Sequence, residues 1–210
     1  MSTIAVVDYG MGNLRSVAKA IEHVAPDART IVSSKPAEIA AADRVVFPGQ
    51  GAARACMQSL RSYDLIDVVQ SAFNNKPFLG ICMGLQVLFD SSDENQGVPC
   101  LGYVHGKVSR FERQAGQDAY KIPHMGWNEV AQSGAHELWN NIEDRSRFYF
   151  VHSYYVDPTD KNTISGETQY LGNFCSAIAK DNVFATQFHP EKSAAHGLQL
   201  LKNFSQWQPG

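Results

Sequence analysis

The sequence offers little with which to staple a fold. Its four cysteines, Cys56, Cys82, Cys100 and Cys175, stand far apart in 210 residues, with no CxxC pair and no Cys/His spacing suited to zinc. Disulfides and a structural metal are therefore not expected, and a reducing compartment fits. Long hydrophobic runs are missing as well. No apolar stretch approaches the roughly 20 residues that span a bilayer, and Ser2 to Asp8 runs straight into structure without the charged leader of a signal peptide. A soluble, cytoplasmic protein without membrane contact is the expectation. An excess of positive charge is absent too: 18 Lys and Arg against 21 Asp and Glu give a net charge of −3 without a long basic run, so no nucleic acid partner is indicated. Repeats, low-complexity segments and linkers are also lacking. One domain over residues 1–210 is expected, and with 44% hydrophobic residues it can bury a sizeable core.

What is present is an alternation of short apolar runs with helical patterns. Thr3 to Val7 reads as a buried strand, followed by the loop YGMGN and a helix in which Leu14, Val17, Ala18, Ile21 and Val24 recur at helical spacing up to Pro26. The GMG loop lacks the third glycine of a dinucleotide fingerprint, so a tight turn is the default. Thr30 to Val32 is a second strand, Pro36 opens a small helix, and Arg44 to Phe47 is a third strand running into PGQG at Pro48 to Gly51. Glycines on either side of one residue leave backbone N–H groups free to face a ligand, as an oxyanion hole requires, although a plain strand-to-helix turn would look the same. Helical pattern covers Ala52 to Leu60 and Leu65 to Phe73. Strand and helix in alternation argue for a parallel sheet covered on both faces, with the loops after its strands sharing one rim.

The centre of the chain is PFLGICMGLQVLF, Pro77 to Phe89. Phe78 to Ile81 has strand length and Leu85 to Phe89 carries good helix formers, so Cys82 sits where a strand becomes a helix. Gly80 and Gly84 permit a sharp turn with the thiol pushed outward, the logic of a nucleophile elbow with sulfur in place of oxygen. A thiol at a helix start also meets the positive end of the dipole, which favours the thiolate. By itself a GxCxG is more often an inert core thiol. Past Gly97 the pattern shifts to mixed or antiparallel strands: Lys107 to Phe111, Lys121 to Val130, Arg147 to Val156, and a hairpin of Ser176 to Ala179 with Val183 to Phe188 turning at Asp181 and Asn182. A helix over His196 to Trp207 closes the chain.

The last strand ends in FHPEK. Residues two apart in extended chain share a face, so Glu191 can hold one nitrogen of His189 while the other meets a thiol. That supplies the base and the orienting group a cysteine nucleophile needs. GxCxG followed by HPE resembles the class I (triad) glutamine amidotransferases, and YGMGN, PGQG, GICMGLQ, KIPHMGWN, FVHSYY and QFHPEKS fall in the order expected across nearly the whole chain. PHMGWN and HSYY are most similar to the members of that class that serve histidine biosynthesis.

The resemblance implies a three-layer, flavodoxin-like α/β fold with a mixed central sheet. It implies a glutaminase without metal or cofactor, in which Cys82 attacks the side-chain amide of glutamine and His189 and Glu191 complete the triad. Backbone N–H groups of Met83 and of the Gly49, Gln50, Gly51 turn would hold the oxyanion. Gln86, Glu94, Ser153 and Tyr154 would hold the substrate, a carboxylate such as Glu94 suiting its ammonium group. A (β/α)8-barrel synthase subunit would be the partner in a heterodimer, facing Asn13, Met125, Trp127, Tyr149 and Lys192. One departure stands out: the family more often has valine where this chain has Gln50, from which slow hydrolysis before the partner docks is expected. Service to another synthase, a cysteine hydrolase on a similar sheet, and a silent interaction protein are the rival readings. The last is disfavoured because all three triad positions carry competent residues.

Overall fold

The computed structural model describes residues 1–209. It opens with β1 (Thr3–Val7), α1 (Leu14–Val24), β2 (Arg29–Ser33) and α2 (Pro36–Ala41), and continues with β3 (Arg44–Gly49), α3 (Ala53–Ser62), α4 (Ile66–Asn75) and β4 (Phe78–Cys82). A single helical turn, α5 (Met83–Gln86), leads to β5 (Phe89–Ser92), β6 (Val98–Pro99) and β7 (Val104–Arg110). The strands β8 (His124–Glu129), β9 (Ala131–Gln132), β10 (Arg147–His152), β11 (Tyr154–Pro158) and β12 (Ile164–Gln169) follow. The last elements are β13 (Asn173–Lys180), β14 (Val183–Thr186) and α6 (Ala194–Gln206).

The main sheet runs β2-β1-β3-β4-β14-β13-β11-β7-β5-β6, with β12 paired to β13 and β9 to β12. From β2 to β14 neighbouring strands are parallel; the pairs β14–β13, β13–β11 and β11–β7 are antiparallel, and β7 pairs with β5 in parallel, so the sheet is mixed. Strand alternation sorts the core into two layers. Val7, Val45, Phe47 and Phe78 pack with residues of α3 and α4, whereas Ile4, Val6, Val46, Leu79 and Ile81 pack with residues of α1 and α6. Burial on both faces is why these strands read as continuous apolar runs. Among the described residues, no helix is long and apolar enough to cross a membrane.

The structure differs from the sequence reading at five points. The helix expected over Leu85 to Phe89 is instead the turn Met83–Gln86, because the chain must re-enter the sheet as β5 at Phe89. The strand expected over Arg147 to Val156 is broken at Ser153: β10 pairs only with β8 in a separate two-stranded sheet, while β11 joins the main sheet. The expected strand Lys121 to Val130 is shortened to His124–Glu129, and β5, β6, β9 and β12 are not among the expected strands; β5, β6 and β9 carry too few residues to show a period. The last helix starts earlier, at Ala194.

Candidate active site

β4 ends at Cys82, which holds φ 56° and ψ −105°, a left-handed backbone conformation that side-chain-bearing residues rarely adopt. The neighbouring glycines make this turn feasible. A Cβ at Gly84 would lie 1.9 Å from the carbonyl oxygen of Phe47, and one at Gly80 would lie 2.7 Å from that of Gly84. The elbow is thus wedged against β3, whose Gly49 is the register partner of Cys82. Because α5 is one turn long, few peptide dipoles add up behind the sulfur, so the dipole support expected from the sequence is small. The stronger positive charge comes from elsewhere.

It comes from His189. β14 lies parallel beside β4 with Thr186 opposite Ile81, and this register delivers the following HPE segment to the elbow. His189 Nδ1 lies 2.9 Å from Glu191 Oε1, both side chains being buried. His189 Nε2 has no hydrogen bond of ordinary geometry, and the group it interacts with is the Cys82 sulfur. Burial alone would push this imidazole down, but the facing Cys82 sulfur and the hydrogen bond to Glu191 outweigh it and push it up to about 10. At neutral pH it is an imidazolium facing sulfur. The segment is latched from behind: His189 N–H donates to the Tyr149 carbonyl (2.9 Å), Tyr149 N–H donates to Ser193 Oγ (2.9 Å), and Ser193 Oγ donates to the His189 carbonyl (2.6 Å).

Cys82 and His189 open on a cleft of about 340 Å³ lined also by Gln50, Gly51, Met83, Gln86, Glu94, Ser153, Tyr154 and Lys192. Gly49 lies just behind it at the buried end of β3. The YGMGN loop props this turn: Tyr9 Oη donates to the Pro48 carbonyl at 2.9 Å, and a Cβ on Gly51 would meet Met11 Cε at 2.9 Å. Glu94 lies in a one-turn helix, and its Oε2 accepts the Ala53 N–H at the start of α3 (2.6 Å), which ties the cleft's acid to the helix that follows the PGQG turn. The break at Ser153 brings Ser153 and Tyr154 to the cleft wall.

Of the residues expected to face a partner, Met125 and Trp127 are 65% and 44% exposed and, two apart on β8, share one face. Trp127 is paired across the strands with Tyr149, and Lys192 Nζ lies 6.0 Å from the Tyr149 ring centre. Asn13 precedes α1, and its side chain caps no helical N–H. No cluster of three or more His, Cys, Asp or Glu suited to a metal ion occurs among the described residues.

Sequence reasoning missed a buried polar chain beneath the cleft. Gln86 Nε2 donates to the Tyr154 carbonyl (3.2 Å) and to Gln187 Oε1 (3.0 Å), and Gln187 Nε2 donates to Cys82 Sγ (3.7 Å). The Tyr154 carbonyl also accepts from His152 Nδ1 at 2.7 Å, His152 Nε2 is 2.9 Å from His124 Nδ1, and His124 Nε2 is 3.3 Å from Asn128 Nδ2. The available signal was the two-residue alternation that puts Gln187 on the same side as His189.

The class I glutamine amidotransferase profile matches residues 5–207. A solved structure described as a glutamine amidotransferase superposes with a TM-score of 0.70 at 16% identity, covering 96% of this chain and 97% of the other, which shows the shared fold. The chain belongs to the class I glutamine amidotransferases. Imidazole glycerol phosphate synthase subunit HisH of Nitrosococcus oceani is 56% identical over 99% of this chain and 98% of its own length, and the subunit of the same name from Nitrosospira multiformis is 56% identical over 100% of both. Within the class, the chain belongs to the HisH family.

Proposed function

We propose that this chain is the glutaminase subunit of imidazole glycerol phosphate synthase and that Cys82, His189 and Glu191 carry its chemistry within a single domain spanning residues 1–210. The observation that carries the reading is the line of groups from Glu191 through His189 to the Cys82 sulfur, opening on a cleft within the size range of about 300–1,000 Å³ usual for small-molecule sites. Sulfur attacks the carboxamide carbon of glutamine. The imidazolium of His189 protonates the departing nitrogen, and ammonia leaves a glutamyl thioester on Cys82. His189, now neutral, takes a proton from water, whose oxygen displaces sulfur and releases glutamate. Backbone N–H groups of Met83 and the Gly49–Gly51 turn hold the oxyanion in both steps. With both amide hydrogens of Gln86 engaged within the protein, its oxygen is what it offers the substrate's amino group, beside the Glu94 carboxylate and the Ser153–Tyr154 wall.

Ammonia released into water is mostly protonated and lost as a nucleophile, so the reaction is useful only beside an acceptor site. The partner is a (β/α)8-barrel synthase subunit in a cytoplasmic heterodimer, which turns the ammonia and a ribulosyl-aminoimidazole carboxamide phosphate into imidazole glycerol phosphate and aminoimidazole carboxamide ribotide. The exposed pair Met125 and Trp127, with Tyr149, Lys192 and Asn13, supports a docking face that reaches His189 through the Tyr149 latch. The polar Gln50 in the oxyanion turn keeps hydrolysis slow until that face is occupied. Glutamate release by the purified chain, with and without the barrel subunit, tests the reading. Stimulation by the partner of roughly tenfold or more is expected, with Cys82→Ala inactive in both states. Activity surviving in Cys82→Ala would refute the assignment.

A further inference from the structure

We propose that Gln187 is a catalytic residue, whose carboxamide N–H holds the Cys82 sulfur as leaving group when the glutamyl thioester is hydrolysed. The inference rests on Cys82 being the nucleophile.

The direction of the Gln187 amide follows from its surroundings. The Tyr154 carbonyl can only accept hydrogen bonds, so the group of Gln86 that faces it at 3.2 Å is the amide nitrogen. That same nitrogen faces Gln187 at 3.0 Å, so Gln187 presents its oxygen there and its own nitrogen to Cys82 Sγ at 3.7 Å. Gln187 is fully buried, which leaves its amide no water to turn towards. The Tyr154 carbonyl is fixed in turn by the second donor, His152 Nδ1, at 2.7 Å.

The step in which this donor matters can be identified from the charge on sulfur. During acylation the sulfur loses its charge and becomes a thioester, a poor hydrogen-bond acceptor. During hydrolysis His189 takes a proton from water, the water oxygen bonds to the thioester carbon, and the carbon–sulfur bond breaks with its electron pair passing to sulfur. Glutamate departs and sulfur is again an anion. His189 meets that charge with a proton that has just moved, whereas the Gln187 N–H is fixed and not transferable. A donor already in place lowers the basicity of the leaving sulfur and speeds its departure.

Gln187→Met, which removes the donor at similar volume, tests this in the full chain, alone and with its synthase partner. Its kcat for glutamine is expected to fall roughly tenfold or more with KM falling in step, so that kcat/KM changes little. Mass measurement after acid quenching is expected to show a glutamyl adduct on Cys82 that accumulates beyond the unsubstituted level. A rise in KM with a loss of kcat/KM and no adduct would assign Gln187 a packing role and overturn the proposal, as would unchanged kinetics in a folded variant. Should Gln187→Met fail to fold, Gln187→Leu is read by the same two measurements. Normal kinetics in the Gln187 variant with an inactive Cys82→Ala sinks this inference alone. An active Cys82→Ala sinks the nucleophile assignment with it.

Discussion

In the proposed mechanism His189 must be an acid in one half of the reaction and a base in the other, and its surroundings suit both. Burial favours the neutral ring, while Cys82 and Glu191 favour the cation and prevail, pushing it up to about 10. Once Cys82 is a neutral thioester, the sulfur's share of that support vanishes and burial is opposed by Glu191 alone. The ring's affinity for a proton then drops from its high value towards the neutral range, so that after ammonia departs it stays unprotonated and free to accept a proton from water. Removal of the sulfur should reproduce that drop: in Cys82→Ala the His189 ring, followed by NMR against pH, is expected to titrate well below the intact protein's midpoint. An unmoved midpoint would mean that the sulfur does not set it. The three residues proposed as the triad could be picked out in the sequence because each lies in a short contiguous motif whose geometry is local. Gln187 was not, since its role depends on Gln86 and Tyr154, brought near it only by the fold.

Elements fix how firmly those residues are held. The elbow is a strained turn clamped between β3 and α5, and the HPE segment is latched to β10 through Tyr149 and Ser193. The parallel half of the sheet was readable from its fully apolar strands, and so was the rim on which the YGMGN, PGQG and Cys82 loops meet. The one-turn α5 and the break at Ser153 were not readable, because good helix formers and an unbroken β-rich run carry no sign of the sheet the chain must rejoin. Since Gly84 allows the clamp, Gly84→Ala should force the backbones of Phe47 and the elbow apart. Overpacking of this kind costs about 1–3 kcal/mol, seen as a melting temperature lowered by several degrees, and kcat should fall with it. A variant with full kcat would show that the elbow tolerates displacement.

At the scale of the whole molecule, the small sheet of β8 and β10 carries the proposed docking face, and a pair of buried histidines joins it to the main sheet. His124 stacks between Phe150 and Tyr170 at 4.8 and 3.9 Å, bonds to His152, and is flanked by Asn128, whose side chain donates to the Gln169 carbonyl of β12. Every hydrogen bond in this chain is satisfied by neutral rings: Asn128 donates to His124, His124 to His152, and His152 to the Tyr154 carbonyl. Burial lowers His124 to about 4 and, with the neighbouring His124 and His189 charges adding to it, lowers His152 to about 3, while the hydrogen bond to the Tyr154 carbonyl works the other way. His136, against Phe184 and Trp207, is lowered by burial to about 4. In the unfolded chain all three gain a proton below about pH 6.5, whereas the folded chain refuses it until far lower pH, so stability is full above that point and declines as pH falls. His189, raised to about 10, is charged in the folded chain throughout and gains its proton in the unfolded chain near pH 6.5, so it offsets part of the drop above about pH 6 and adds no slope well below it. Each refused proton contributes up to about 1.4 kcal/mol per pH unit between pH 6 and about 4. Urea unfolding from pH 7 to 5 should therefore show stability dropping with acid, and His124→Asn, which keeps a donor towards His152 without a titratable ring, should make the drop shallower by about one proton. Equal slopes for the two proteins would mean that His124 is charged in the folded state and that the two sheets are joined by an ion rather than by a chain of neutral rings.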